Sequence, residues 1–167
     1  SIWTAHAQTP EIAPVAEYNF DEGKVEDATG NSEMFLYRGA SLTSDDTRGT
    51  VLRFQSAQES YAAVNRQLLN TDSCTFSFFF YWEETGASSW HQLFEVYNPQ
   101  TGSGLYVTPA DGWNQKYTLI SNSQDYDNFS AIYSQQLPKE EWVHLAVTFA
   151  DKECTLYVDG EAVREKF

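Results

Sequence analysis

Cysteine is scarce in this chain, and so are basic residues; each scarcity excludes something. Only Cys74 and Cys154 carry thiols among 167 residues. They form no C-x-x-C pair and join no histidine pattern, so nothing points to structural zinc. Lys and Arg number 10 against 24 Asp and Glu, a net charge of −14. Nucleic acid and anionic membrane surfaces both need a basic footprint, so neither is an expected partner. An acidic chain suits bound cations or neutral ligands such as sugars. Long apolar runs are missing too. The longest, near Phe78 to Trp82, is strand-sized, so no membrane insertion is expected. Helical periodicity is almost absent; only "NRQLLNTD" reads as a short helical turn.

What is present is strand and turn. Hydrophobic residues make up 41%, a globular composition with length for one real core. Aromatics reach 16%, with 10 Tyr and 11 Phe, which favours strands and stacking surfaces. Pro10 and Pro14 make residues 1–14 an extended lead-in. Ala5-His6-Ala7 has the small-x-small form of a cleavage site but lacks the charged and apolar regions that should precede one. The strand candidates are "VAEYNF", "MFLYRG", "TVLRFQ", "SYAAVN", "CTFSFFFYW", "WHQLFEVYN", "GLYVTPA", "KYTLIS", "SAIYSQQL", "WVHLAVTF" and "CTLYVDGEAV". Gly, Asn, Asp and Ser separate them at short intervals, the pattern of an antiparallel two-sheet sandwich spanning 15–167 as one domain.

Alternation along each strand assigns faces. Phe76, Phe78 and Phe80 share one face; Thr75, Ser77, Phe79 and Tyr81 share the wetter one. Val143, Leu145, Val147 and Phe149 lie opposite Trp142, His144, Ala146 and Thr148. Cys154, Leu156 and Val158 are core-like, with Thr155, Tyr157 and Asp159 pointing away. If these strands are neighbours, Phe79, Tyr81, Trp142, His144 and Tyr157 meet on one outer face.

Six short motifs occur in order: "FDEG" (20–23), "DATGN" (27–31), "GTVLRF" (49–54), "CTFSFFFYW" (74–82), "LPKEEWVHLAVTF" (137–149) and "TLYVDGEAV" (155–163). Together they resemble the laminin-G-like, concanavalin A-like jelly-roll family of secreted bacterial proteins, over residues 15–163. The resemblance implies an all-β antiparallel jelly roll. It also implies a secreted or cell-surface accessory module beside a glycoside hydrolase, sialidase, sulfatase or adhesin. Such modules bind poly- or oligosaccharide and often carry one structural calcium. The family continues with further strands after the "LYVDG" hairpin, whereas this chain stops at Phe167. It is therefore expected either to be a fragment or to close its sandwich differently.

Catalytic relatives on this fold set paired carboxylates along one strand as Glu-x-Asp-x-(x)-Glu, because glycoside hydrolysis needs an acid and a base at a set separation. No such run occurs, and no G-x-S-x-G nucleophile motif either. The chain is expected not to be an enzyme.

Three constellations remain. Asp21, Glu22, Glu26, Asp27, Asn31 and Glu33 crowd an acidic, Gly-bearing loop. Calcium takes oxygens from such loops. The resemblance places one nearby, so Asp27 and Asn31, with Asp21, are the candidate ligands. The plainer alternative is a turn held by its own Asp and Asn hydrogen bonds. The second group is Trp90, His91, Tyr106, Trp113, Tyr126 and Tyr133, read as loop aromatics, with Asn98 among the amides. Aromatic planes meet the apolar face of a sugar while amides and His take its hydroxyls. The alternative has these rings folding back over the sandwich edge. The third is the outer-face group. It is expected to be framework beneath a covering loop, with the floor of a groove as the alternative.

Cys74 and Cys154 open two strands expected to flank a third. That gap exceeds disulfide reach, which predicts two free, buried thiols. The expected function is a non-catalytic carbohydrate-binding accessory module. The rival is a structural or protein–protein module packing on adjacent domains of a longer chain.

Overall fold

The computed structural model describes residues 13–64, 73–83, 92–98, 100, 103–109, 118–122, 129–133, 136–150 and 153–163. The chain forms two units, 1–70 and 71–167, each with its own architecture. The described residues are all-β; their helical content is two 3-10 turns, Asp21–Gly23 and Ser56–Gln58.

The first unit holds two antiparallel ribbons. Strands β2 (Ser41–Asp45) and β3 (Gly49–Arg53) pair from Ser41↔Arg53 to Asp45↔Gly49. The Asp45 carboxylate accepts the backbone N–H groups of Thr47 and Arg48 at 2.9 and 2.8 Å, which closes the turn. Strands β1 (Met34–Tyr37) and β4 (Tyr61–Val64) form the other ribbon. Tyr37 and Tyr61 stand directly opposite each other with ring centroids 4.7 Å apart, a cross-strand stack.

One expectation fails here, and one strand is not among the candidates. "VAEYNF" is not a strand: Glu17 bonds through its N–H and C=O to the 27–28 loop instead of to a ladder. Conversely, "SLTSD" is a strand. Its Ser, Thr and Asp favour turns by themselves, and only pairing with β3 draws them into extended backbone.

The second unit is the sandwich. One sheet runs β12-β11-β10-β5, from β5 (Cys74–Tyr81), β10 (Trp142–Ala150), β11 (Glu153–Val158) and β12 (Glu161–Val163). The other runs β6-β7-β8-β9, from β6 (Phe94–Asn98), β7 (Ser103–Thr108), β8 (Thr118–Asn122) and β9 (Phe129–Tyr133). Val143, Leu145, Val147 and Leu156 from the first sheet are fully buried with Val107 of the second and with Leu137. Phe94 links the sheets, its ring 4.3 Å from Phe76 and 6.4 Å from Phe78. The alternation read from sequence is thus the real one: odd residues of 143–147 face the core and even ones face away.

β11 and β12 are joined by Asp159-Gly160, with φ of 47° and 82°. Both central residues lie in the left-handed region, the type I′ geometry that Asp-Gly favours because it matches strand twist. The turn divides the "CTLYVDGEAV" segment into β11 and β12, as the "LYVDG" hairpin reading implies.

Cys74 pairs with Phe149, which pairs with Cys154, so one strand does lie between the cysteines. Cys74 is a free thiol. It is half-buried, not fully buried as expected, and that burial pushes its pKa up. The Cys154 side chain lies outside the described residues.

Candidate functional site

The outer face of sheet β12-β11-β10-β5 carries the third constellation, and register assembles it row by row. Trp142 pairs with Tyr81, and His144 with Phe79. Ala146 pairs with Ser77 on one side and Tyr157 on the other. Rows repeat every second residue, about 7 Å apart, so three rows make a strip roughly 14 Å long. The strip is lined by five rings and is not buried as framework would be. Phe79 is 49% exposed. Ser77 is exposed, and Tyr81, Trp142, His144 and Tyr157 are half-buried. The expectation of a face covered by a loop is therefore corrected: Phe79 presents half its surface to solvent.

His144 is fixed from two sides. Its Nε2 lies 2.8 Å from the Ser77 hydroxyl on β5. Its backbone N–H donates to Asp159 Oδ1 at 2.8 Å, while Asp159 N–H donates back to His144 C=O at 2.8 Å. The turn carboxylate thus extends the β10–β11 ladder one step beyond Leu145↔Val158. Phe79 meets the imidazole edge-on at 4.9 Å and 66°. One row away, Tyr81 and Trp142 rings are 5.4 Å apart, and the Tyr81 hydroxyl donates to Glu140 Oε2 at 2.9 Å. Glu140 sits at φ 57° and donates its N–H to Trp82 C=O at 2.9 Å, so the carboxylate is held at the strip's end.

A Ser and a His at hydrogen-bond distance resemble a nucleophile and its base. The carboxylate beside this pair among the described residues, Asp159, is engaged elsewhere. Asp159 accepts the backbone N–H of His144, not a ring nitrogen, so it orients the chain rather than the imidazole. The arrangement offers ring faces and edges, a hydroxyl, an imidazole nitrogen and a carboxylate on a firm sheet: the chemistry of contact. The sequence reading named the five rings but missed Ser77 and Glu140 as their polar partners. Alternation alone gave Ser77 its face, and only the register sets it beside His144.

The second constellation is placed in part. Tyr106 is not a loop residue: it sits mid-strand in β7, half-buried, opposite Glu95 and Ser121. Its neighbour Val107 faces the core, so Tyr106 lies on the outer face of the other sheet, away from the strip. Asn98 ends β6, opposite Ser103, and Tyr133 ends β9; neither side chain is among those described. Trp90, His91, Trp113 and Tyr126 lie outside the described residues.

The first constellation is drawn inward. Asp27 Oδ1 accepts Glu17 N–H at 2.8 Å, Thr29 N–H at 2.9 Å and the Thr29 hydroxyl at 2.7 Å. Its Oδ2 accepts Asn31 N–H at 3.0 Å and Ser32 N–H at 2.8 Å. Partial burial pushes this carboxyl's pKa up, but the bonds outweigh it, that from Glu17 first, and hold it well below the usual carboxylate range. Asn31 turns its amide NH2 to Val15 C=O at 2.9 Å. Asp21 stands exposed on the separate 3-10 turn.

This set does not fit calcium. A carboxylate has about four lone-pair sites, and five donors already converge on Asp27. Four of those donors are backbone N–H dipoles whose positive ends point where a cation would sit. Among the described residues, no group of three or more His, Cys, Asp or Glu side chains is gathered as a metal cage. In this structure the Asp27 carboxylate and the Asn31 amide are both engaged by the segment's own backbone, the arrangement of the plainer alternative, a turn held by its own hydrogen bonds.

Stacked sheets, an inward-facing aliphatic core and the "LYVDG" turn define a β-sandwich of the jelly-roll class. A laminin G-type model described as the concanavalin A-like lectin/glucanases superfamily matches residues 56–166, and the chain belongs to that superfamily. No curated protein and no solved structure matches it.

Proposed function

We propose that the chain is a non-catalytic carbohydrate-binding module of a secreted glycan-degrading protein, and that the strip on β5, β10 and β11 is a sugar-contacting surface. The observation that carries this reading is the open aromatic face: Phe79, Tyr81, Trp142, His144 and Tyr157 in three rows, with Ser77 and Glu140 beside them. Sugar C–H faces settle on aromatic planes, and their hydroxyls exchange with neighbouring polar groups. Superfamily membership supports the same reading. Trp90 and Trp113 are proposed as further contacts. Support for a non-catalytic role comes from the carboxylates by the strip. Glu140 takes the Tyr81 hydroxyl and Asp159 takes the His144 backbone, whereas hydrolysis needs a facing acid–base pair. Binding of this kind is weak, since a shallow strip buries few ligand atoms.

The second reading, a module that packs on neighbouring domains, is supported by the first unit. Phe35, Phe54 and Tyr61 there keep about half their surface exposed, and exposed apolar patches usually mark contact. A glycan array followed by titration calorimetry separates the two. The proposal expects soluble poly- or oligosaccharide to bind, and Trp142→Ala to weaken it in a protein that melts as before. Absence of binding to any glycan, or binding indifferent to Trp142, Phe79, Trp90 and Trp113 alike, transfers the chain to the second reading.

A further inference from the structure

We propose that the Asp27 carboxylate takes the place of a cation in this fold: it is the anion around which residues 15–32 are organised, and this segment folds without a divalent metal. The inference stands apart from sugar binding. It rests on where the five donors come from. Glu17 belongs to the incoming limb, ten residues before Asp27, while Thr29, Asn31 and Ser32 belong to the outgoing turn. One side chain therefore ties two limbs together, as a bound ion would. The backbone is shaped for it. Gly30 N–H donates to Asp27 C=O at 3.0 Å, and Gly30 takes φ 76°, which reverses the chain so that the next two N–H groups face Oδ2. Successive N–H groups bent round one point make an anion-binding concavity; here the anion is built in.

The surroundings reinforce the clamp. Ala28 N–H donates to Glu17 C=O at 2.7 Å, so Glu17 is bound through both its backbone groups. The Thr29 hydroxyl has one proton and two oxygens in reach, Asp27 Oδ1 at 2.7 Å and Val15 C=O at 3.0 Å. The shorter, charge-assisted bond goes to the carboxylate, and Val15 keeps the Asn31 amide. Ser32 is buried, and its C=O accepts the Tyr18 hydroxyl at 2.9 Å, which fastens the loop to a third residue of its incoming limb, after Val15 and Glu17. A calcium ion added to this arrangement would have to displace the N–H donors that already point at the carboxylate.

The test is amide hydrogen exchange on the whole chain, read at Glu17, Thr29, Asn31 and Ser32, in EDTA and again in calcium chloride. Equal protection in the two conditions is expected. Protection that collapses in EDTA and returns with calcium overturns the proposal. In Asp27→Asn, one oxygen becomes an NH2 that faces donors, and the same amides should exchange faster by about tenfold or more, the order expected for losing a charge-assisted hydrogen bond. Unchanged exchange in that variant also overturns it. If Asp27→Asn does not fold, Thr29→Val removes only the hydroxyl donor. It should then speed exchange at the same four amides by a smaller factor and leave the rest of the chain as it was; no change at those amides counts against the proposal.

Discussion

Two polar clusters in this molecule have similar residue types and opposite fates. Around Asp27, every carboxylate oxygen is turned inward and saturated by the segment's own backbone. On the outer face of sheet β12-β11-β10-β5, polar atoms pair with side chains while ring surfaces stay open, Phe79 most of all. The difference is one of backbone. A loop has unpaired N–H groups that seek an acceptor, so a nearby Asp becomes structure. A strand's N–H groups are consumed by its neighbours, so its outward side chains are left to face whatever arrives. Density of acidic residues therefore does not by itself leave carboxylate oxygens open to a ligand.

The largest expected effect tests the sheet itself. Leu145 is fully buried and immediately follows His144, which faces out. Leu145→Ala should cost about 2–5 kcal/mol in denaturant unfolding, the range for a buried leucine cavity. His144→Ala, one residue earlier, should cost less than about 1 kcal/mol, a hydrogen bond in a solvated setting. Similar losses for the two would mean the face is covered after all.

The loop comes next, and acid sharpens it. The Asp27 pKa is lower folded than unfolded. Its stabilisation is therefore complete above the ordinary carboxylate pKa of about 3.9. It is lost as pH falls toward the depressed folded value. Melting curves of the unaltered chain and of Asp27→Asn should lie well apart near neutrality and converge below roughly pH 4. A gap that stays constant into acid would show that Asp27 does not act through its charge.

Binding effects are smaller. Trp142→Ala should weaken glycan affinity by about 1–2 kcal/mol, roughly 5- to 30-fold, the scale of one aromatic contact. Trp90→Ala and Trp113→Ala serve as the counter-test. If they weaken binding by that amount while Trp142→Ala and Phe79→Ala do not, the sugar is held by those segments and not by the strip. Smallest of all, Ser77→Ala should reduce affinity by under about 1 kcal/mol through a less firmly held His144. Its measure is titration calorimetry beside an unchanged melting temperature.

Much of this could be read from the chain alone. The all-β class, the inward set Val143, Leu145, Val147 and the outward set Trp142, His144 follow from period-two alternation, a local property of each strand. The Asp159-Gly160 turn follows from the two residues whose backbones tolerate positive φ. Partnership required the tertiary structure. That Ser77 meets His144 depends on a register between strands 67 residues apart, and no local pattern encodes a register at that distance. "SLTSD" does not read as a strand and is one beside β3, whereas Tyr106, grouped with the loop aromatics, lies in the "GLYVTPA" segment that the pattern itself marks as a strand. Asp27 supplied the right atoms for either calcium or backbone. Composition could not decide, because both are satisfied by the same oxygens. The four N–H bonds that point at them have a direction that exists only once the chain has folded.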